Sequence, residues 1–140
     1  MADRRKRVIE LVESKMDIFK EVSDKIWEYA ELMFEEYKSS ALQMEVMEKQ
    51  GFTIQRNVAG METAFIASYG EGHPVIAILG EYDALAGLSQ EADKTERSPI
   101  VEGAPGHGCG HNLLGAAAMA AATAVKDYMV ENNLKGTVRY

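Results

Sequence analysis

Five consecutive apolar residues, Val75, Ile76, Ala77, Ile78 and Leu79, run up to Gly80 and are followed by the acidic pair Glu81 and Asp83. A run this short that does not alternate with polar residues is what a strand covered on both faces by helices looks like, so it is expected at the centre of a sheet. Downstream, Ala116, Ala117, Ala118, Ala120, Ala121, Ala122 and Ala124 give residues 112–131 high helix propensity and a small-sided face that permits close packing. Asn132, Asn133 and Gly136 end that helix, and Thr137, Val138, Arg139 and Tyr140 read as a further strand. Strand, helix and strand in this order form a crossover unit, which makes the chain α/β.

The upstream third supplies the cover. Val12, Met16, Phe19, Val22, Ile26, Tyr29, Ala30 and Met33 recur at steps of three and four, the pattern of one long amphipathic helix over residues 8–34. Ser40 with Gln43 has capping-box spacing, and Gly51 with Phe52 has the form of a left-handed stop with an apolar clasp, so a second helix is expected over 41–50. Alternation from Phe52 to Arg56, and β-forming residues over 63–69, indicate two strands joined near Asn57 to Gly60. The expected architecture is a helix-covered mixed sheet.

Composition narrows the function. With 46% hydrophobic and 26% charged residues the chain is in the globular range. Its net charge of -7 comes with scattered bases, which argues against nucleic acid as a partner. The basic cluster Arg4, Arg5, Lys6 and Arg7 is not followed by the apolar core of a secretion signal. No uninterrupted apolar run approaches membrane-spanning length, since the stretch 113–125 holds Gly115 and Thr123 and runs into Lys126 and Asp127; no membrane association is expected. Cys109 is the single cysteine, which rules out an intramolecular disulfide and suits a reducing, cytoplasmic compartment.

The segment 81–110 is too long for an ordinary connection, and the chemistry is expected there. Gly106-His107-Gly108-Cys109-Gly110-His111-Asn112 places two of the three histidines around the only cysteine, just before a helix. In an extended, glycine-flanked segment Cys109 and His111 point to one side, so a thiolate and an imidazole can meet one divalent cation. Further ligands must come from elsewhere, and Glu81 and Asp83, again at i,i+2, lie just past the buried strand, where open α/β sheets gather ligands. Asp83 can alternatively accept the free N–H of a ligating histidine. Three other readings stay open: a close-packed glycine loop, a thiol nucleophile at Cys109 with His107 or His111 as base, and an anion cradle. The last lacks any G-x-x-x-x-G-K-[ST] or G-x-G-x-x-G pattern.

Residues 80–90, GEYDALAGLSQ, and 106–115, GHGCGHNLLG, closely resemble the metal-dependent amidohydrolases and peptidases that include the aminoacylases and the auxin-conjugate hydrolases. The likeness extends from Trp27 and Tyr29 through Lys49-Gln50-Gly51-Phe52 to residues 136–140. It implies a zinc-peptidase-like catalytic domain, a helix-covered sheet interrupted by a smaller lid domain, with residues 1–140 as the N-terminal portion, cut after Tyr140 and without the lid. It implies Cys109 and His111 as metal ligands and Asp83 as the supporting aspartate after the central strand. Glu81 falls where relatives place a ligating histidine or an acid, His107 matches the pattern, and Asn112 stands where auxin-conjugate hydrolases carry aspartate, which favours the p-aminobenzoyl-glutamate branch; Glu81, Asp83, His107 and Asn112 are thus candidates either to ligate metal or to support the ligands.

The activity implied is hydrolysis of the amide bond of p-aminobenzoyl-glutamate or related N-acyl amino acids. Two divalent ions, manganese or zinc, serve a complete site, and a glutamate acts as general base. That glutamate is expected beyond Tyr140, so no catalytic base is assigned within the 140 residues, and the chain alone is expected to bind metal weakly and hydrolyse little. A full-length form is expected to be a homodimer or heteromer. The alternative is a non-catalytic relic or a subunit completed by another polypeptide.

Overall fold

The structure, a computed structural model, describes residues 2–140, with side chains from Arg4 onward. Three helices come first, α1 (Ala2–Glu13), α2 (Met16–Tyr29) and α3 (Tyr37–Lys49). Strand β1 (Thr53–Arg56), a 3-10 turn (Val58–Gly60), β2 (Phe65–Glu71) and β3 (Val75–Ala77) follow. After the long loop come α4 (His111–Glu131) and β4 (Gly136–Arg139).

The four strands form one mixed sheet in the order β1-β2-β4-β3. β1 with β2 and β2 with β4 are antiparallel, with Ile54 opposite Ala67 and Tyr69 opposite Val138. β3 and β4 are parallel, Ile76 beside Val138, so the expected strand–helix–strand crossover through α4 is present. The core joins Phe19, Val22 and Ile26 of α2, Met47 of α3, Ala67 of β2, Ala116, Met119, Ala120 and Ala122 of α4, and Val138 of β4. The alanines let α4 lie close to its neighbours, which Met119 then fills.

Four expectations need correction. The long first helix is two: Ser14 Oγ turns back to the Leu11 carbonyl at 2.8 Å, a local bond that competes with helix continuation, and α2 begins at Met16. Downstream, α2 stops at Ala30, which is left-handed (φ 44°), and so Met33 is 60% exposed instead of extending the apolar face. The next helix starts at Tyr37, ahead of the supposed cap Ser40, because the Glu31 carboxylate accepts the Lys38 and Ser39 N–H groups at 3.0 and 2.8 Å. This leaves Gln43 fully buried within the helix.

The third correction concerns the apolar run. β3 covers three residues and lies at the sheet edge, where Val75, Ile76 and the following Leu79 are 44%, 55% and 84% exposed. The central place goes to β4, which the crossover inserts between β2 and β3. Finally, α4 is, by length and composition, long and apolar enough to cross a membrane, which the interrupted sequence run did not suggest. Its Ala116, Met119, Ala120, Ala122 and Ala124 are buried, as in the core helix of a folded domain.

The stop of α3 is as expected. Gly51 has φ +90°, its N–H bonds the Glu48 carbonyl, and the Phe52 N–H bonds the Met47 carbonyl, a Schellman closure with Phe52 5% exposed. Among the described residues no atom beyond the chain neighbours lies within 4 Å of a Cβ at Gly51, so substitution there meets only backbone strain. Gly51→Ala should destabilise the chain by about 1 kcal/mol, measured by urea denaturation; an unchanged midpoint would show that the left-handed stop does not hold α3.

Candidate metal centre

The site lies past the carboxyl end of β3, where the chain crosses the first turn of α4. Two close approaches fix that crossing. A Cβ at Gly80 would sit 2.5 Å from the Tyr140 ring, and one at Gly115 would sit 2.8 Å from the Glu81 carbonyl oxygen, so the segment lies directly on α4 only because both positions lack side chains. Ala84 N–H then bonds the Glu31 carbonyl at 2.7 Å, and Leu85 exchanges two 3.0 Å bonds with Gly106, which pins the far end of the segment.

Alternation along this extended stretch sorts its side chains. Tyr82 points away from the site, donating its hydroxyl to the Thr63 carbonyl, and burial pushes its phenol well above the ordinary value, so it stays a donor. Glu81 and Asp83 face the opposite way, toward His111, the first residue of α4. His111 Nδ1 lies 2.7 Å from Asp83 Oδ1, and His111 Nε2 lies 3.1 Å from Glu81 Oε2. One ligand atom from each of Glu81, Asp83 and His111 lies within 4.8 Å of the others. His111 and Asp83 are largely covered, with 17% and 26% of their side chains accessible, whereas Glu81 is open to solvent at 61%.

This geometry has a chemical consequence. If Nδ1–H donates to Asp83, the lone pair on Nε2 faces the Glu81 carboxylate, and two electron-rich groups meet. A proton or a cation between them turns that repulsion into attraction. Nitrogen with carboxylate oxygen is a donor set suited to zinc or manganese, so the residues fit a divalent ion.

The other sequence candidates are placed differently. Cys109 is exposed and stands outside the three-residue group. His107 turns from the site to α2, its Nε2 2.9 Å from the Ile26 carbonyl; its Nδ1 is buried without a partner. Burial holds the His107 imidazole below its ordinary value, although the bond to Ile26 pulls the other way. Asn112 is buried as well and donates its amide to Ser23 Oγ at 3.0 Å. Sequence reasoning placed Ile26 only on an apolar helix face, and found neither its carbonyl as a partner of His107, nor Ser23, nor the Gln43–Tyr140 hydrogen bond beneath Gly115. These contacts join residues more than 80 positions apart, and no local pattern announces them.

No family model matches the chain. It is 49% identical over 129 residues to a p-aminobenzoyl-glutamate hydrolase subunit of Escherichia coli K12, a match that covers 92% of this chain and 27% of that protein. It is 35% identical over 115 residues to an IAA-amino acid hydrolase of Arabidopsis thaliana, covering 81% of this chain and 24% of that one. Among solved structures, a dinuclear metal binding peptidase of the M20 family from Bacillus subtilis superposes with a TM-score of 0.73 at 27% identity, over 91% of this chain and 34% of the peptidase. The chain thus spans about a quarter of the length of the curated relatives it matches. In sequence, and in its sheet and helices, the chain is similar to a stretch of about a quarter to a third of the length of metal-dependent amidohydrolases and peptidases.

Proposed function

We propose that these residues contribute part of a divalent-metal site used to hydrolyse the amide bond of p-aminobenzoyl-glutamate or a related N-acyl amino acid. The observation that carries this reading is the convergence of Glu81, Asp83 and His111 beyond the carboxyl end of the sheet. The names of the relatives supply the substrate class: one acts on p-aminobenzoyl-glutamate and another on an amino-acid conjugate.

In this reading Asp83 accepts the Nδ1–H of His111, fixing the tautomer and the plane of the ring, so that Nε2 is the ligating atom. Glu81 offers its carboxylate from the solvent side. Cys109, exposed and outside this group, would join it by a local shift of its turn when an ion binds. A divalent ion held there, manganese or zinc, would supply the lowering of a water's pKa and the polarisation of the amide carbonyl. Three clustered side chains fall short of a two-metal site, so the 140 residues alone should turn substrate over poorly. The Escherichia coli relative is named as one subunit of its hydrolase, which implies a companion polypeptide there. We propose for this protein, likewise, an assembly with a further copy or subunit, in the cytoplasm.

Equilibrium dialysis with zinc or manganese tests the metal reading. The chain should retain the ion, His111→Ala should lose it, and Asp83→Asn should weaken it about 10–100-fold; equal metal in all three would refute the site. On p-aminobenzoyl-glutamate with added metal the chain should show no more than background hydrolysis, and robust chelator-sensitive turnover would contradict the partial-site reading. Gly115→Ala should push the Glu81 segment off α4, costing about 1–3 kcal/mol of stability and weakening metal retention. Unchanged retention in that variant would show that the close approach does not set the ligand spacing.

A further inference from the structure

We propose that α2 is the frame on which the metal centre is set: Ile26 and Ser23 hold His107 and Asn112, and these two side chains position His111 without ligating the ion. The inference rests on the cation reading above, but it concerns how the chain orders its own ligand.

Ser23 and Ile26 lie three residues apart on one face of α2 and are 5% and 0% exposed. Each meets one flank of the glycine-rich segment. The Ile26 carbonyl, which already accepts the Ala30 N–H at 3.1 Å, accepts His107 Nε2–H as well, while Ser23 Oγ accepts the Asn112 amide. Between these anchors lie only Gly108, Cys109, Gly110 and His111. Glycines on both sides of Cys109 would leave such a segment many backbone states, so its order must come from its flanks. The turn is closed by Gly110 N–H to the His107 carbonyl at 3.1 Å, and Gly110, left-handed at φ 77°, passes directly into α4 at His111. His107 thereby fixes where the turn starts, and Asn112 fixes the rotation of the first turn of α4.

Ligation by His107 itself is disfavoured by the same geometry. Nε2 is engaged by Ile26, and Nδ1 is buried where no ion can reach it unless the ring leaves α2. Asn112 is 7% exposed and turned to Ser23.

The experiment combines two readouts on the full chain. In metal-free protein, imidazole 15N–1H NMR reports the His111 Nδ1–H bond to Asp83, and zinc titration reports affinity. His107→Gln, whose amide N–H can occupy the place of Nε2–H, should keep both the signal and the zinc affinity. His107→Phe and Asn112→Leu should broaden or lose the signal and weaken zinc about 10–100-fold. Should either fail to fold by circular dichroism, Ser23→Ala decides, because it removes the hydroxyl that accepts the shorter of the two Asn112 bonds, 3.0 Å against 3.4 Å to the Ser23 carbonyl, with little change in volume and should move both readouts in the same direction. Loss of zinc in His107→Gln with the His111–Asp83 signal intact would make His107 a ligand and overturn the proposal. So would an unchanged signal and affinity in His107→Phe and Ser23→Ala. If no form binds zinc but the signal responds as described, the cation reading fails and the positioning role stands.

Discussion

The close approach of the Glu81 backbone to Gly115 is the contact on which the candidate site depends. A side chain at Gly115 would meet the Glu81 carbonyl, and one at Gly80 would meet the Tyr140 ring, so two absent Cβ atoms let a loop lie flat on a helix. The alanines that follow in α4 extend the same economy of volume into the core, where α4 packs among α2, β2 and β4. Where α4 begins is thus decided by packing, and His111 sits at that beginning. Tyr140, partly buried and hydrogen-bonded to Gln43, backs the crossing from below; desolvation raises its phenol well above the ordinary range, which keeps it a hydrogen-bond donor.

Electrostatics then favours an ion at this place. Carboxylate oxygens of Glu81 and Asp83 within 4.8 Å of each other repel by about 1 kcal/mol in a water-like medium and about 3 kcal/mol at an effective dielectric of 20. The exposure of Glu81 keeps the cost toward the lower figure, and the covered Asp83–His111 pair is the more rigid part. A chain that holds such a cluster in place through glycine contacts and buried hydrogen bonds is arranged for a positive charge to enter from the Glu81 side. The region past the carboxyl end of a strand is where open α/β sheets commonly gather their ligands.

Much of this was legible in the sequence, for identifiable reasons. The crossover through α4 was visible because alanine propensity and the following β-forming residues are local signals, and the stop at Gly51 was visible because a left-handed glycine followed by an apolar residue has one common use. The pairing of Glu81 and Asp83 with the histidine segment followed from i,i+2 spacing next to a strand end. What failed were inferences that needed the third dimension. The apolar run of β3 reads as central, yet strand order is set by the crossover, which hands the centre to β4. The start of α3 was misplaced because its cap comes from Glu31, eight residues before Ser39. The two anchors on α2 join partners 81 and 89 residues apart, so neither His107 nor Asn112 reveals its role by its neighbours.

The central proposal is that His111, oriented by Asp83, receives a divalent ion together with Glu81, and that Cys109, outside this group in the structure, joins them when the ion binds. Zinc K-edge X-ray absorption on the metal-loaded chain tests it most directly. The account predicts nitrogen or oxygen scatterers at about 2.0–2.2 Å, the outer-shell pattern of an imidazole, and one sulfur at about 2.3 Å. A first shell without imidazole scattering would contradict it.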